Sequence, residues 1–179
     1  MRPTIEVARG LIGKVLKHGD AFGRIVETEA YLSVDDAAAH SANGMTPRTR
    51  VIFGPPGHAY VYLVYGMHYC LNIVAEPEGI AGCVLIRAME PLEGIELETR
   101  GPGKLTRALG INLRHYGCDV TRGPITVHDS KDGAVVEIAV SPRIGIQKSA
   151  DLPLRFFERG NRFVSGPRFL TDVTSGRRR

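Results

Sequence analysis

The stretch Gly23-Arg24-Ile25-Val26-Glu27-Thr28-Glu29-Ala30-Tyr31 decides the fold of this chain. It alternates residue by residue in the manner of a half-buried β-strand. Side chains two positions apart in a strand share a face, so Glu27, Glu29 and Tyr31 project together. Two carboxylates on one face repel each other and lose hydration if they are buried. An ordinary strand avoids that cost, so the stretch indicates a functional site.

A histidine and a tyrosine-rich segment, His40 and residues 59–66, follow this strand. Tyr60 and Tyr62 fall on one face of their own predicted strand, and Tyr65 stands at its end before a glycine. Aromatic pairs are common in strand cores, but the same rings can stack on a nucleic-acid base. A ring at an exposed tip can enter a base stack as a wedge. Acids beside rings therefore indicate a site that binds a flat molecule and moves protons on it.

The bulk properties predict one domain over residues 1–179. A chain of 179 residues with 43% hydrophobic residues can bury a sizeable core. No apolar run approaches the ~20 residues of a membrane span, so we expect no membrane partner. The three cysteines have no CxxC or Cys/His ligand spacing, which argues against a zinc site and favours reduced thiols.

The charge balance is moderately basic, with a formal net charge of +4. This excess permits a polyanionic partner such as nucleic acid without requiring one. The basic C-terminal tail, about residues 173–179, ends in three arginines that could contact phosphates or keep the protein soluble.

The periodicities predict an α+β fold, with a curved, mainly antiparallel sheet and a few short helices. Helices are predicted over Ile5–Leu16 after a possible N-cap at Thr4, over Val34–Ser41, and over Gly103–Leu109. A polar loop follows from Ser41 to Pro56, and a hairpin turn is predicted at Ala75–Gly79. Strands after the first are predicted at Ala59–Tyr65, Tyr69–Ala75, Gly82–Met89, Ile125–His128, Val135–Ser141 and Leu154–Glu158.

The two acids allow more than one interpretation. Glu27 and Glu29 stand ~7 Å apart along a strand, within the ~6.5–9.5 Å of inverting glycosidases. Two acids side by side do not easily flank a bond, so one acid that activates water is the better interpretation, with the other structural. Arg87 follows an apolar run and needs a partner such as Glu29 or a phosphate. Asn72, among apolar residues, must find its hydrogen bonds locally or in a ligand.

Segments along nearly the whole chain, from about Ala8 to about Ser165, resemble the alkyladenine DNA glycosylase family, the mammalian-type 3-methyladenine DNA glycosylases. The resembling positions are 24–31, 38–41, 46–48, 60–62, 65–67, 70, 72, 85–88, 90–94, 101–102, 104–105, 142–143, 154–156 and 159–160.

The resemblance implies base excision from duplex DNA by a monomer without metal or organic cofactor. A damaged purine is flipped out, because its glycosidic bond is inaccessible inside the helix. The implied products are the free base and an abasic site. The resemblance implies that Glu29 deprotonates the attacking water and that Arg87 positions that water or the adjoining phosphate. The enzyme would act in the cytoplasm at the nucleoid if bacterial and in the nucleus if eukaryotic.

The resemblance also implies how the base is bound. Tyr31 and Tyr62 sandwich it, and His40 makes a hydrogen bond near it. Asn72 crowds the exocyclic amino group of normal guanine, and Tyr65 fills the gap left in the duplex. The implied substrates are 3-methyladenine and 7-methylguanine, and hypoxanthine and ethenoadenine are further candidates. Residues 32–35 and the 94–101 connection depart from the mammalian pattern, and these departures bear on the further candidates. The alternatives are a non-catalytic nucleic-acid-binding module and an ordinary glycoside hydrolase.

Overall fold

The computed structural model describes residues 3–130 and 136–166. These residues form an eight-stranded sheet with two α-helices and three short 3-10 helices. The elements are α1 Thr4–Leu11, β1 Val15–His18, β2 Ala21–Tyr31, β3 Ala59–Val64, β4 His68–Val74, β5 Cys83–Glu93, α2 Pro102–Ala108, β6 Ile125–His128, β7 Ile138–Ser141 and β8 Arg155–Glu158. The 3-10 helices span His40–Asn43, Arg50–Phe53 and Leu113–His115.

All strand pairs in this sheet are antiparallel, which confirms the predicted α+β class. The main strand order is β3-β4-β5-β2-β1-β6. The opening stretch forms most of β2, which pairs with β5 on one edge and with β1 and then β8 on the other. The predicted strand is therefore the centre of the sheet.

The apolar core covers one face of the sheet. Ala30, Ile73 and Ile86 from three neighbouring strands are buried there with Leu11 of α1 and Leu105 of α2. Burial of a side chain of this size contributes roughly 1.5–3 kcal/mol. Because both helices pack on this face, side chains of the other face are left to form the site.

Two β-bulges at the centre of the β2–β5 ladder aim an arginine at the acids. The register shifts on either side of Glu27, where Val26 is the extra residue on β2 and Arg87 the extra residue on β5. A bulge bends its strand and re-aims a side chain. Here the two offsets cancel, and Arg87 points toward Glu27 and Glu29.

The helix predicted over Ile5–Leu16 is too long. It ends at Leu11, and Val15–His18 form β1 instead. Gly13 has a φ of +86°, which glycine adopts without the steric cost of a side chain, and it turns the chain between the two elements. The apolar residues near the end of the predicted helix fit either periodicity, and pairing with β2 decides between them. Thr4 is the first helical residue rather than the cap.

The helix predicted over Val34–Ser41 is wrong. The chain forms turns there, and a 3-10 helix begins only at His40. The Asp36 carboxylate accepts the backbone N–H groups of Leu32 and Ala38 at 3.0 and 3.2 Å. Such side-chain bonds to the backbone compete with helix formation.

The other predicted elements lie within a few residues of the observed ones. The turn at Ala75–Gly79 joins β4 to β5, and the loop from Ser41 to Pro56 contains a 3-10 helix. Val135 and the basic tail lie outside the described residues. Over the two described ranges, no helix is both long and apolar enough to span a bilayer.

Candidate active site

One face of the curled sheet gathers the predicted site residues. In a flat sheet, β2 and β3 would lie ~14 Å apart, at ~4.8 Å per strand. Side chains of both strands nevertheless line one cavity, so the curl brings them together. The face follows the cross-strand pairs Tyr62–Cys70, Tyr60–Asn72, Asn72–Leu85, Leu85–Glu29 and Cys83–Tyr31.

The cavity on this face is small, with a volume of about 110 Å³. Sites for drug-sized ligands start at ~300 Å³, so this one suits a single flat group. Four predicted substrate-binding residues line it, namely Tyr31, His40, Tyr62 and Asn72. The other lining residues are Ala38, Ala39, Ser41, Tyr60, Cys83 and Ile146, of which Tyr60 is one of the rings predicted to stack.

Glu29 lies fully buried behind the Tyr31 wall of this cavity. Its Oε1 accepts the Ile144 N–H at 2.8 Å and faces Arg87 Nη1 at 3.4 Å. Its Oε2 accepts the Tyr31 hydroxyl at 3.1 Å. Burial raises the pKa of the Glu29 carboxyl, although Arg87 and the Ile144 N–H act in the opposite direction. A carboxylate with a raised pKa is a good proton acceptor near neutral pH.

Glu27 has a different environment on the same face. Its Oε1 accepts Arg155 Nε at 2.6 Å, and its Oε2 accepts the Ser165 N–H at 2.7 Å. Both side chains of the Glu27–Arg155 pair are fully buried. Both oxygens of this carboxylate are engaged by the protein, which supports the structural role preferred for the second acid.

Arg87 bridges the two acids. Its Nε lies 3.3 Å from Glu27 Oε1, and its Nη1 lies 3.4 Å from Glu29 Oε1. Its Nε also donates to the Ser165 hydroxyl at 3.1 Å. The predicted carboxylate partner is confirmed. The Arg87 side chain remains 12% exposed, so it is the one member of this charged group that keeps contact with solvent.

His40 and two tyrosines form an aromatic cluster in the cavity lining. The His40 ring packs edge-on against Tyr62, with centroids 4.6 Å apart, and its Nδ1 lies 2.9 Å from the Tyr60 hydroxyl. Partial burial and the nearby Arg48 charge lower the pKa of His40, so the ring is neutral at neutral pH. Burial raises the pKa of Tyr60 to about 12. Neutral rings with an acid behind them favour a cationic ligand.

Asn72 lies buried in the cavity wall. Its Nδ2 donates to the Tyr60 carbonyl at 3.2 Å, and its Oδ1 lies 3.9 Å from Cys83 Sγ. The Asn72 amide therefore finds its hydrogen bonds locally, as one of the two predicted possibilities, and these bonds hold it in one orientation. Exclusion of guanine by this amide stays a prediction.

Comparisons with known proteins identify the family of this chain. The chain matches the family described as methylpurine-DNA glycosylase (MPG) over residues 1–162. It is 49% identical to a protein of Koribacter versatilis over 92% of this chain and 89% of that one, and 47% identical to a protein of Chlorobaculum tepidum over 91% and 86%. Each carries the name "Putative 3-methyladenine DNA glycosylase". The chain belongs to the methylpurine-DNA glycosylase family.

The β3–β4 hairpin of this methylpurine-DNA glycosylase family member carries Tyr65 away from the cavity. Tyr65 and Gly66 have φ values of 51° and 69°, and two successive positive φ values are typical of a type I′ turn. A positive φ is uncommon for a tyrosine. The turn leaves the Tyr65 side chain 86% exposed and that of Met67 73% exposed. Tyr65 is therefore separate from the cavity residues, and its role in DNA stays a prediction.

Sequence reasoning missed the segment from Pro142 to Ser149. Ile144 binds Glu29, Ile146 lines the cavity, and Arg143 lies over Tyr31. The only signal for this segment was that residues 142–143 belong to the family-like positions. A buried arginine in a loop has no sequence pattern that distinguishes it from an exposed one.

Metal-ligand clusters are not found among the described residues of this family member. The three cysteines are free, with Cys70 and Cys83 buried. Burial raises the pKa of Cys83 to about 12, so this cavity-lining thiol is a poor nucleophile at neutral pH.

Proposed function

We propose that this chain is a monofunctional DNA glycosylase that releases 3-methyladenine and 7-methylguanine from duplex DNA and leaves an abasic site. The observation that carries the proposal is the buried Glu29 carboxylate, joined through the Tyr31 hydroxyl to an aromatic cavity of single-base size. Membership of the glycosylase family supports it. All the groups it needs come from one chain, and we propose that the protein acts as a monomer.

The reaction begins with extrusion of the damaged nucleotide. Base flipping costs a few kcal/mol in lost stacking and pairing. We propose that Tyr65 offsets part of this cost by entering the space that the nucleotide leaves, because its ring is exposed at a hairpin tip. The flipped base then stacks between Tyr31 and Tyr62, and each stacked base is worth ~1–3 kcal/mol.

The bond cleavage needs one base and no covalent intermediate. The Glu29 carboxylate takes a proton from a water molecule as the water oxygen attacks C1′. The C1′–N bond breaks, and its electron pair returns to the purine, which starts as a cation and leaves neutral. Arg87 positions the water or the adjoining phosphate. The ionised Glu29 also stabilises the positive charge that develops on the sugar.

The cavity favours the alkylated base by charge and shape. A cationic purine is attracted to the faces of Tyr31 and Tyr62, and His40, neutral through its lowered pKa, does not repel it. We propose that the Asn72 amide, held in the wall, collides with the exocyclic amino group of normal guanine. Rejection of a normal base would then come from a steric clash rather than from weaker stacking.

An ordinary glycoside hydrolase is the weaker alternative. It needs two functional acids on opposite sides of the scissile bond. Glu27 is bound by Arg155, Arg87 and the Ser165 N–H, so both of its oxygens are engaged by groups of the protein. A non-catalytic binding module would bind DNA without releasing a base, so an assay for abasic sites separates it from a glycosylase.

The decisive experiment measures abasic sites in duplex DNA that contains 7-methylguanine. Under single-turnover conditions, the wild type should produce alkali-labile breaks, and Glu29→Gln should slow their formation by ~10²–10⁴-fold, the usual range for a general base. Glu29→Gln should still bind the duplex. Glu93→Gln, an exposed acid at the end of β5, is the matched control and should keep the wild-type rate.

Two outcomes contradict the proposal. Salt-dependent binding by the wild type without any abasic product identifies a non-catalytic module. A wild-type rate for Glu29→Gln removes Glu29 as the base.

The lesion range needs its own panel. We propose that cationic 3-methyladenine and 7-methylguanine are released faster than neutral hypoxanthine and ethenoadenine, because neutral bases are poorer leaving groups and lose the cation–π attraction. Release of each base from otherwise identical duplexes measures this order. Equal rates for charged and neutral lesions would contradict it.

A further inference from the structure

A buried ion pair lies directly behind the tyrosine wall of the cavity. The Asp36 carboxylate accepts Arg143 Nη1 at Oδ2 and Nη2 at Oδ1, both at 2.6 Å, and both side chains are fully buried. The two-point geometry is strongly directional. Burying two charges is expensive, so such a pair is weak evidence for added stability. Its position beside the cavity suggests a different role.

The guanidinium of Arg143 holds Tyr31 from behind. Its central carbon lies 4.5 Å from the centroid of the Tyr31 ring, and its Nη1 also donates to the Ala30 carbonyl at 2.9 Å. Arg143 is buried and does not line the cavity, so it covers the ring face that points away from the cavity. The other face is left for the base.

The residue after Arg143 reaches the proposed catalytic acid. The Ile144 N–H donates to Glu29 Oε1 at 2.8 Å. Two residues later Ile146 lines the cavity. Because the Arg143 side chain and the Ile144 N–H lie on adjacent residues, the ion pair that fixes Arg143 also limits where the Ile144 N–H can point.

Asp36 fixes a second part of the cavity lining in the same way. Its carboxylate accepts the Leu32 and Ala38 N–H groups at 3.0 and 3.2 Å. These bonds hold the turn between Tyr31 and His40, which both line the cavity. The hydrogen bonds with Arg143 lower the pKa of Asp36 against the effect of burial, so the pair is ionised at neutral pH.

We propose that Asp36 and Arg143 are positioning residues for base excision: their ion pair holds the Tyr31 ring against the flipped base and keeps the Ile144 N–H on Glu29. The role rests on the proposed function, since it concerns the same site. Asp36 and Arg143 do not touch the reacting atoms in the proposed reaction. Both act through Tyr31, Ile144 and Glu29.

The pH dependence of the reaction distinguishes a positioning role from a loss of stability, because lost stability alone does not move the acid limb of the rate profile. The charged and titratable groups that face Glu29 are Glu27 and Tyr31 on β2, Cys70 on β4, Arg87 on β5, and Arg143. Of the neighbours, Arg87 and the Ile144 N–H favour the ionised acid most strongly. A displaced Ile144 N–H disfavours the ionised acid, so the acid limb of the rate profile moves to higher pH.

The test replaces the ion pair by a neutral pair, Asp36→Asn with Arg143→Gln, so that no unpaired charge remains buried. On duplex DNA with 7-methylguanine, the single-turnover rate should fall ~10–100-fold, because small displacements from the reactive geometry have large effects on rate. The acid limb should move to higher pH. The matched control is Arg24→Gln, which removes an arginine of β2 that pairs with Glu90 and Glu158. The control should keep both the wild-type rate and the acid limb.

A second measurement does not need activity. In the free protein, the Ile144 amide should exchange with solvent faster in the double variant than in Arg24→Gln, at equal thermal stability. If the wild type releases no base while this difference persists, the proposed function fails and the positioning of Ile144 stands. If the double variant does not fold, Arg143→Lys, which keeps the charge without the two-point geometry, takes its place in both measurements.

Two results would overturn the positioning role. One is a wild-type rate with an unmoved acid limb in the folded double variant. The other is a uniform loss of rate at every pH with unchanged Ile144 exchange, because a smaller fraction of folded protein produces that result by itself.

Discussion

Glu27 and Glu29 stand two residues apart on β2, share a face and are both fully buried. Glu27 meets Arg155 at 2.6 Å, a full counter-charge at close range. Glu29 meets Arg87 only at 3.4 Å, and its remaining contacts are the neutral Ile144 N–H and Tyr31 hydroxyl. Burial is equal, so the partner decides the chemistry. Glu27 is fixed in a close ion pair, and burial raises the pKa of Glu29.

The largest expected effect is on stability and separates the two acids. Glu27→Gln leaves the Arg155 guanidinium buried without its counter-charge, so the free energy of unfolding should fall by ~3–5 kcal/mol. Glu29→Gln should change it by less than ~1.5 kcal/mol, the scale of one net hydrogen bond. Urea denaturation followed by circular dichroism measures both variants. Equal losses would erase the distinction between the two sites.

The next effect concerns the arginine that the two acids share. Arg87→Gln should lower the single-turnover rate by ~10²-fold, the scale of one lost preorganised donor. Arg87 lowers the pKa of Glu29, so its removal should also move the acid limb of the rate profile to higher pH. A pH–rate series on 7-methylguanine duplexes, with Arg24→Gln as control, measures both changes. A limb that moves to lower pH would mean that Glu29 is not the group that titrates.

A third effect is the pH dependence of stability. The folded-state pKa of Glu29 lies above the unfolded value. Its contribution to stability is therefore fully present below the unfolded pKa and is lost as the pH rises through the folded pKa. Glu29→Gln lacks this loss, so its stability relative to the wild type should increase with pH across that range. Thermal unfolding at matched ionic strength from acidic to neutral pH tests the sign, and a decreasing difference contradicts it.

The smallest effect tests the neutral partner of Glu29. Tyr31→Phe keeps the stacking ring and removes the hydroxyl that donates to Oε2 at 3.1 Å. Since that bond favours the ionised acid, the rate should fall by up to ~10-fold at acidic pH and approach the wild-type rate at alkaline pH. Tyr69→Phe, which packs against the core on the opposite face, is the control. A pH-independent loss would assign the Tyr31 hydroxyl to binding instead.

The parts of the fold that could be predicted rest on local rules. The alternation of residues 23–31 placed Glu27, Glu29 and Tyr31 on one face, and the sheet confirms it. The strand predicted at Ala59–Tyr65 ends one residue beyond β3, and the helix predicted at Gly103–Leu109 is shifted by one residue from α2. Each follows from side-chain spacing or from a turn signal next to it in the chain.

The parts that could not be predicted depend on distant partners. The apolar periodicity predicts a helix end where β1 lies, and only its pairing with β2 makes it a strand. The Ala and Asp content of Val34–Ser41 predicts a helix, whereas Asp36 binds the backbone and Arg143, 107 residues away. Pairing energies of this kind do not appear in the periodicity of a short segment.

The same distinction between local rules and distant contacts applies to the site. From the sequence alone, two acids and a tyrosine share a face, an arginine needs a carboxylate, and Asn72 needs local hydrogen bonds, because strand alternation and the cost of burying charge are properties of short segments. Only the tertiary structure decided which acid is held by Arg155, 128 residues from Glu27, and which is left with the more distant Arg87 and two neutral donors. The bulge at Arg87, the curl of the sheet and the segment after Pro142 settled that choice, because each depends on contacts between chain segments far apart in sequence.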